Sequence, residues 1–430
     1  MQELRIACFK ADVTPPLGAQ MAYDINEEQD TPIYARGVVL DDGHMRVVIV
    51  ACDFINIWGR SWFEWRVAVA DAASTAENRV FLHCVHQHDS MRISPQWNEY
   101  AETVGRVAVD ESYCREALAS LRRAVADAVG GAWTPVARVM TAERRLAGLA
   151  SNRRLVDGEG KCTAMRFSMC KNPDLRAWPV GLIDPLLRTV AFARTDGGVI
   201  AALHFYASHP MAAYGRKKVS QDVPGVALEH IGRECGEGTF NLYLSGCGGN
   251  ITFGKYFMGD KGQSLQALGR RLGEGMVANL RQLEEKPLGP LRVASATLDF
   301  PLDPAITEEA MQEQIRNSRE GSPGWRAIAR LIILRNWDQW RYCPLYRLSV
   351  GDAVHFLSLP AEMCVEYQLF AQSLVAEQFL ACAAYGNGTY HYIPTARMFE
   401  EGGYEPKASI ATPEIEPRLK AAITEVLRDP

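Results

Sequence analysis

The chain has 430 residues, 47% hydrophobic and 23% charged, with a formal net charge of −5. That length buries a substantial core, and the composition excludes extensive disorder. The mild acidity, with no basic stripe and no polybasic cluster, excludes a nucleic-acid footprint and an anionic membrane surface as partners.

The N-terminus, Met1-Gln-Glu-Leu-Arg-Ile-Ala-Cys, lacks the basic start, apolar run and cleavage site of a signal peptide. No apolar run approaches the roughly 18–20 residues that span a bilayer. The eleven cysteines are an odd, scattered set without a Cys-x-x-Cys pair, which fits free thiols in a reducing compartment. A cytoplasmic location is the expectation.

Strands are predicted, in chain order, over 4–11, 34–40, 46–53, 80–85, 136–141, 187–194, 199–207, 240–244, 291–300, 345–350 and 353–359, each rich in Val, Ile, Leu and aromatics. Asp41-Asp42-Gly43 and Asp196-Gly197-Gly198 read as hairpin turns. Helical periodicity marks 58–73, 109–129, 224–235, 264–284, 307–318, 324–337, 364–377 and 417–427. The expected fold class is mixed α/β, with sheets largely covered by helices in a single large domain over 1–430. The polar stretch 316–325 reads as a surface excursion; Trp325, Trp337 and Trp340 nearby either cover something or pack the core.

Five segments end an apolar run in polar residues. Val80-Phe-Leu-His-Cys-Val-His86-Gln-His88 places His86 and His88 on one face by alternation. Such a pair is either a metal or acid–base site at a strand end, or ordinary polarity where a strand leaves the core. His209 sits before Pro210, which stops further pairing. The run Gly246-Cys-Gly-Gly-Asn250-Ile-Thr252 permits close backbone approach, and its amides are candidate anion donors or simply a turn. Glu362 follows a buried strand and precedes a helix, as a ligand or as a capping charge. Tyr392 and Tyr404 close the set. Histidines with a carboxylate are the ligand chemistry of catalytic zinc.

Together these segments resemble the neutral ceramidase family, specifically its N-terminal zinc amidohydrolase domain. The resemblance runs through Ala11-Asp-Val-Thr-Pro-Pro-Leu-Gly18, Ala51-Cys-Asp53, His86-Gln-His88, Asn152-Arg153-Arg154, Ser208-His209-Pro210, Ser220-Gln-Asp222-Val-Pro-Gly225, the 246–252 loop, Pro360-Ala-Glu362 and Tyr392 with Tyr404. It implies a Zn2+ cofactor held by His86, His209, Glu362 and Tyr392. It also implies that His88, Arg153 and Tyr404 bind and polarise the scissile carbonyl, with Thr252 at the position of the family's catalytic-loop serine. The chain departs from the pattern there, and at Asn250, where the family has an acidic residue. It ends on a predicted helix, with no C-terminal immunoglobulin-like domain expected. The expected activity is metal-dependent hydrolysis of a C–N amide bond in a small soluble substrate. Ester or lactone hydrolysis on the same site, or a binding protein with a degraded site, are the alternatives. Oligomeric state and the substrate's acyl and amine portions are written in no local pattern.

Overall fold

The computed structural model describes residues 3–101, 109–236, 238–318, 322–386 and 391–428. Two sheets form its centre. The larger has nine strands in the order Leu291–Asp299, Tyr342–Val350, Val354–Pro360, Phe379–Gly386, Val80–Cys84, Arg46–Cys52, Tyr34–Asp41, Arg5–Asp12 and Thr134–Pro135. The smaller has five, ordered Phe240–Ser245, Val199–Tyr206, Leu186–Ala193, Arg138–Arg145 and Glu284–Lys286. Both hairpin turns read from Asp and Gly join antiparallel neighbours.

One face of the large sheet packs on the small sheet. Val38, Leu40, Ile49 and Phe356 from the first meet Val190, Leu203 and Leu244 from the second in one buried core. The other face, including Val39, Val48 and Leu82, lies under helices Arg60–Ala73, Glu111–Gly130, Ser322–Arg335 and Ile415–Arg428. Helices Asp222–Cys235 and Lys261–Leu280 belong with the small sheet and pack against each other. Their approach is set by glycine: a Cβ at Gly273 meets the Cβ of His230 at 2.8 Å, so only Gly fits. The mixed α/β expectation with helix-covered sheets is met, and all eight predicted helices form within a few residues of their expected bounds.

Two differences have physical causes. The expected strand from 136 divides, because Thr134–Pro135 pairs with the large sheet while Arg138–Arg145 joins the small one. The central strand Phe379–Gly386 was not anticipated, since its Ala-rich run carries little β-propensity; burial between neighbours makes it a strand.

Candidate active site

Three strands of the large sheet bring their C-terminal ends together. Phe379–Gly386 runs parallel to Val354–Pro360, pairing Pro360 with Gly386, and meets Val80–Cys84 through Gly386 and His83. His86 and Glu362 leave two of these ends. His209 arrives from the small sheet, just beyond Val199–Tyr206. Ser245 Oγ of the small sheet donates to the Val85 carbonyl at 2.7 Å, just past the end of strand Val80–Cys84, and the His209 amide is fixed on the Ile251 carbonyl at 3.1 Å.

The three side chains converge. Their potential ligand atoms all lie within 4.8 Å of one another. Glu362 Oε2 is 3.3 Å from His86 Nε2 and 3.1 Å from His209 Nε2. Each ring is oriented from its other nitrogen: Nδ1–H of His86 donates to the Ile55 carbonyl at 2.6 Å, and Nδ1–H of His209 donates to the Gly248 carbonyl at 2.5 Å. Burial pushes His209 down to about 4, so it is neutral at ordinary pH. A neutral ring with its proton on Nδ1 presents a lone pair at Nε2. His86 Nε2 has no hydrogen-bond partner within the protein. Two imidazole lone pairs and a carboxylate oxygen therefore face one point. Such acceptors repel unless a cation sits among them, and this donor set, with backbone carbonyls fixing the tautomers, is that of a catalytic zinc site. The residues fit the metal.

Tyr392 is held beside the triad because its strand pairs in parallel with that of Glu362. Its hydroxyl is 3.3 Å from His209 Nε2. Burial, the largest influence, keeps Tyr392 protonated well beyond the ordinary phenol range. His88 follows beyond the end of strand Val80–Cys84, after the left-handed turn at His86; its Nδ1–H donates to the His86 carbonyl at 3.1 Å. Burial, reinforced by the neighbouring imidazoles of His86 and His209, holds His88 neutral.

Arg153 is buried with its Nε donating to Glu405 Oε1 at 2.7 Å, and Arg154 donates to Glu405 Oε2 at 2.6 Å. The Arg153 guanidinium lies 5.1 Å from the ring centres of both Tyr392 and Tyr404. Burial of Glu405 favours the acid, but the two arginines outweigh it and hold the carboxyl below its usual range. His86, His88, Glu362, Tyr392 and Tyr404 all line one cavity of about 150 Å³, walled by Trp58, Trp97 and Trp325.

No protein-family model matches this chain, and no curated protein is similar to it in sequence. Solved structures are similar in fold. A ceramidase complexed with C2 superposes with a TM-score of 0.73 at 15% identity, covering 99% of this chain and 75% of that one. The neutral ceramidase from Pseudomonas aeruginosa gives 0.73 at 16%, covering 99% and 74%. The chain has a ceramidase fold.

Within that ceramidase fold, the structure brings together seven of the eight residues singled out in the sequence. Thr252, expected at the position of the family's catalytic-loop serine, is the exception. Its hydroxyl donates to the Arg166 carbonyl at 3.0 Å and accepts from the Gly254 amide at 3.3 Å, and it does not line the cavity. The glycine loop also differs from an anion cradle. The amides of Gly246 and Gly249 donate to the carbonyls of Tyr206 and Met363, and that of Cys247 to Gln368 Oε1. A Cβ at Gly249 meets the Glu362 carbonyl at 2.6 Å, so the loop's glycine serves to seat the carboxylate's backbone. Asn250 accepts from the Val365 amide at 2.9 Å, at the start of the distant helix Val365–Leu374.

Several cavity residues escaped sequence reasoning. Tyr385 stacks on His86 with ring centres 4.1 Å apart, and Tyr23 stacks on His88 at 5.5 Å. Arg92, Arg326 and His391 line the cavity as well. Trp325 does so too, so one of the tryptophans near the 316–325 excursion does cover something; residues 319–321 lie outside the described residues. Tyr385 belongs to the unanticipated strand; Arg326 and Trp325 lie on the predicted helix over 324–337, and Tyr23, Arg92 and His391 come from segments without periodic pattern.

Proposed function

We propose that this protein is a zinc-dependent hydrolase that cleaves an amide bond of a small soluble substrate. The observation that carries the reading is the convergence of the His86 and His209 lone pairs on the Glu362 carboxylate at the end of an aromatic-walled cavity. The similar solved ceramidases support amide chemistry over ester chemistry.

His86, His209 and Glu362 would hold the metal, with Tyr392 beside them. When bound, a catalytic zinc acidifies its water to a pKa of about 7 and polarises a carbonyl. This chain's side chains do the rest. His88, kept neutral with its Nδ1 proton committed to a carbonyl, offers Nε2 as a hydrogen-bond acceptor to the attacking water or the amide N–H. The Tyr404 hydroxyl and the Arg153 guanidinium supply positive potential where the carbonyl oxygen gains charge. The tryptophan walls exclude water from the reacting centre. The cavity of about 150 Å³ is smaller than the roughly 300–1,000 Å³ of pockets for drug-sized ligands, which favours a compact substrate. No described helix is long and apolar enough to cross a membrane. All eleven cysteines are free, in keeping with the proposed cytoplasmic location.

The test is metal content with amidase activity. The parent should bind one zinc per chain and release acid from small N-acyl amides. His209→Ala should lose both, because the remaining ligands no longer enclose the ion. Stoichiometric zinc retained by His209→Ala would overturn the ligand assignment, and a metal-loaded parent inert toward amides would overturn the reaction.

A further inference from the structure

Several buried or half-buried arginines of the described residues are answered from within the protein. Arg153 and Arg154 share Glu405. Arg166 is ringed by the carbonyls of Asn152, Leu175, Trp178 and Pro179. Arg330 donates to the carbonyls of Lys407 and Ser409. Two arginines break the pattern, and both line the cavity. Arg92 lies with its guanidinium carbon 5.4 Å from the Trp97 ring centre, and Arg326 lies 5.2 Å from that of Tyr404. Neither has a carboxylate or carbonyl partner among the described residues.

Among the described residues Glu362 is the single carboxylate of the lining, and its near oxygen already faces both metal-site histidines. The cavity therefore carries two guanidinium groups that no carboxylate of the described residues pairs with directly. A neutral ligand filling this space would strip water from both and return nothing, at the cost of buried charge without a counter-ion. A carboxylate returns charge-assisted, bidentate hydrogen bonds, and the guanidinium fork matches its two oxygens. Aromatic faces beneath each guanidinium hold it in place without neutralising it.

We propose that the cavity selects amides bearing a free carboxylate, of the N-acyl amino acid class, through Arg92 and Arg326. The inference rests on reading the cavity as a hydrolase site, and names its substrate class. The scissile step is ordinary hydrolysis: water adds across the C–N bond, giving a carboxylic acid and an amine, while the substrate's own carboxylate stays intact on the arginines.

The experiment pairs N-acetyl amino acids with their carboxamides, using a panel of common side chains and acetate release as the readout on metal-loaded protein. The parent should favour the free acids in kcat/KM. Arg92→Gln and Arg326→Gln should each lower kcat/KM for the acids by about tenfold to a hundredfold, the worth of one charge-assisted hydrogen bond. Cleavage of the carboxamides should fall much less than that of the acids, and Arg92→Lys should restore part of the preference. Equal loss on both series, or a parent that prefers carboxamides, would overturn the proposal while leaving the hydrolase reading intact. Acetate inhibition that depends on the arginines, without discrimination between substrates, would assign them to the released acid and also overturn it. Where no amide is cleaved, calorimetric titration with the N-acetyl amino acids decides. Binding lost in Arg92→Gln sustains the carboxylate site though the hydrolase reading falls; no binding to the parent sinks it.

Discussion

Glu405→Gln is the most informative single perturbation, because one buried carboxylate serves two arginines. The side chains of Arg153 and Glu405 are 3% and 0% exposed, so the pair is shielded from water. Arg154 has alternatives, since its Nη2 also donates to Glu401 at 3.0 Å and to the Gly402 carbonyl at 2.7 Å. Arg153 has no second carboxylate among its described contacts. The substitution keeps volume and shape but leaves Arg153 buried without a counter-charge, which costs about 3–5 kcal/mol. Unfolding entropy of about 2.1 cal/mol/K per residue, taken over the chain, converts that to a drop of about 3–6 °C in Tm. Arg153 is also the group fixed over Tyr392 and Tyr404, so kcat should fall by about 10–100-fold, as for lost outer-shell support. Scanning calorimetry and steady-state kinetics on metal-loaded protein measure both. Arg153→Met combined with Glu405→Leu should recover part of the stability and none of the activity. A Glu405→Gln variant that melts with the parent and turns over at its rate would refute the argument.

Thr252→Val should cost about 1–3 kcal/mol, because a buried carbonyl and amide lose their shared hydroxyl, while kcat stays close to that of the parent. A collapse of kcat at unchanged stability would assign this residue the catalytic role that the resemblance implies. His204 is fully buried between Thr189 and Asn241, and burial pushes it down to about 4. Its unfolded form binds a proton near the ordinary 6.5, so unfolding takes up a proton between those values and stability falls as pH falls. The raised carboxylates Asp89 and Asp222, both at about 6 through burial, act in the opposite sense. His204→Gln should therefore flatten the parent's urea-derived stability profile between pH 4 and 6.5 by up to about 1.4 kcal/mol per pH unit; identical slopes would show that His204 titrates normally.

Much of this site was legible because its ligands sit where apolar strands end. His86, His209 and Glu362 each follow a buried run of regular alternation or continuous hydrophobicity, and such runs are what sequence periodicity reports. Thr252 was placed in the site only by the resemblance, while whether its hydroxyl is used by the backbone depends on Arg166, which is 86 residues away. The glycine loop was misread for a related reason. Glycine signals close approach, but the sequence does not say to what, and here the neighbour is the backbone of Glu362 rather than an anion. Phe379–Gly386 was missed because alanine and cysteine give no strand signal, and Tyr385 was lost with it. Tyr23, Arg92 and Arg326 meet only through the tertiary fold, so nothing local in the chain announces them.

The backbone adds a signature that no side-chain pattern could. Seven described non-glycine residues have positive φ, and four of them belong to this site: His86 at 75°, Ala361 at 59°, Tyr385 at 60° and His391 at 57°. Each such conformation costs about 1–3 kcal/mol and persists only where the surroundings impose it. Glycine would relieve the strain, but at three of the four positions the side chain is the useful part: His86 faces the metal point, Tyr385 stacks on its ring and His391 lines the cavity. Ala361 immediately precedes Glu362, and its left-handed turn redirects the chain as the strand ends, with its amide bonded to the Gly386 carbonyl at 3.3 Å. A fold under selection for stability alone has no reason to gather these costs at one point. Their concentration around two imidazoles and a carboxylate argues that the geometry of those three groups is what the strain secures, and hence that the site is a working one rather than a relic of the fold.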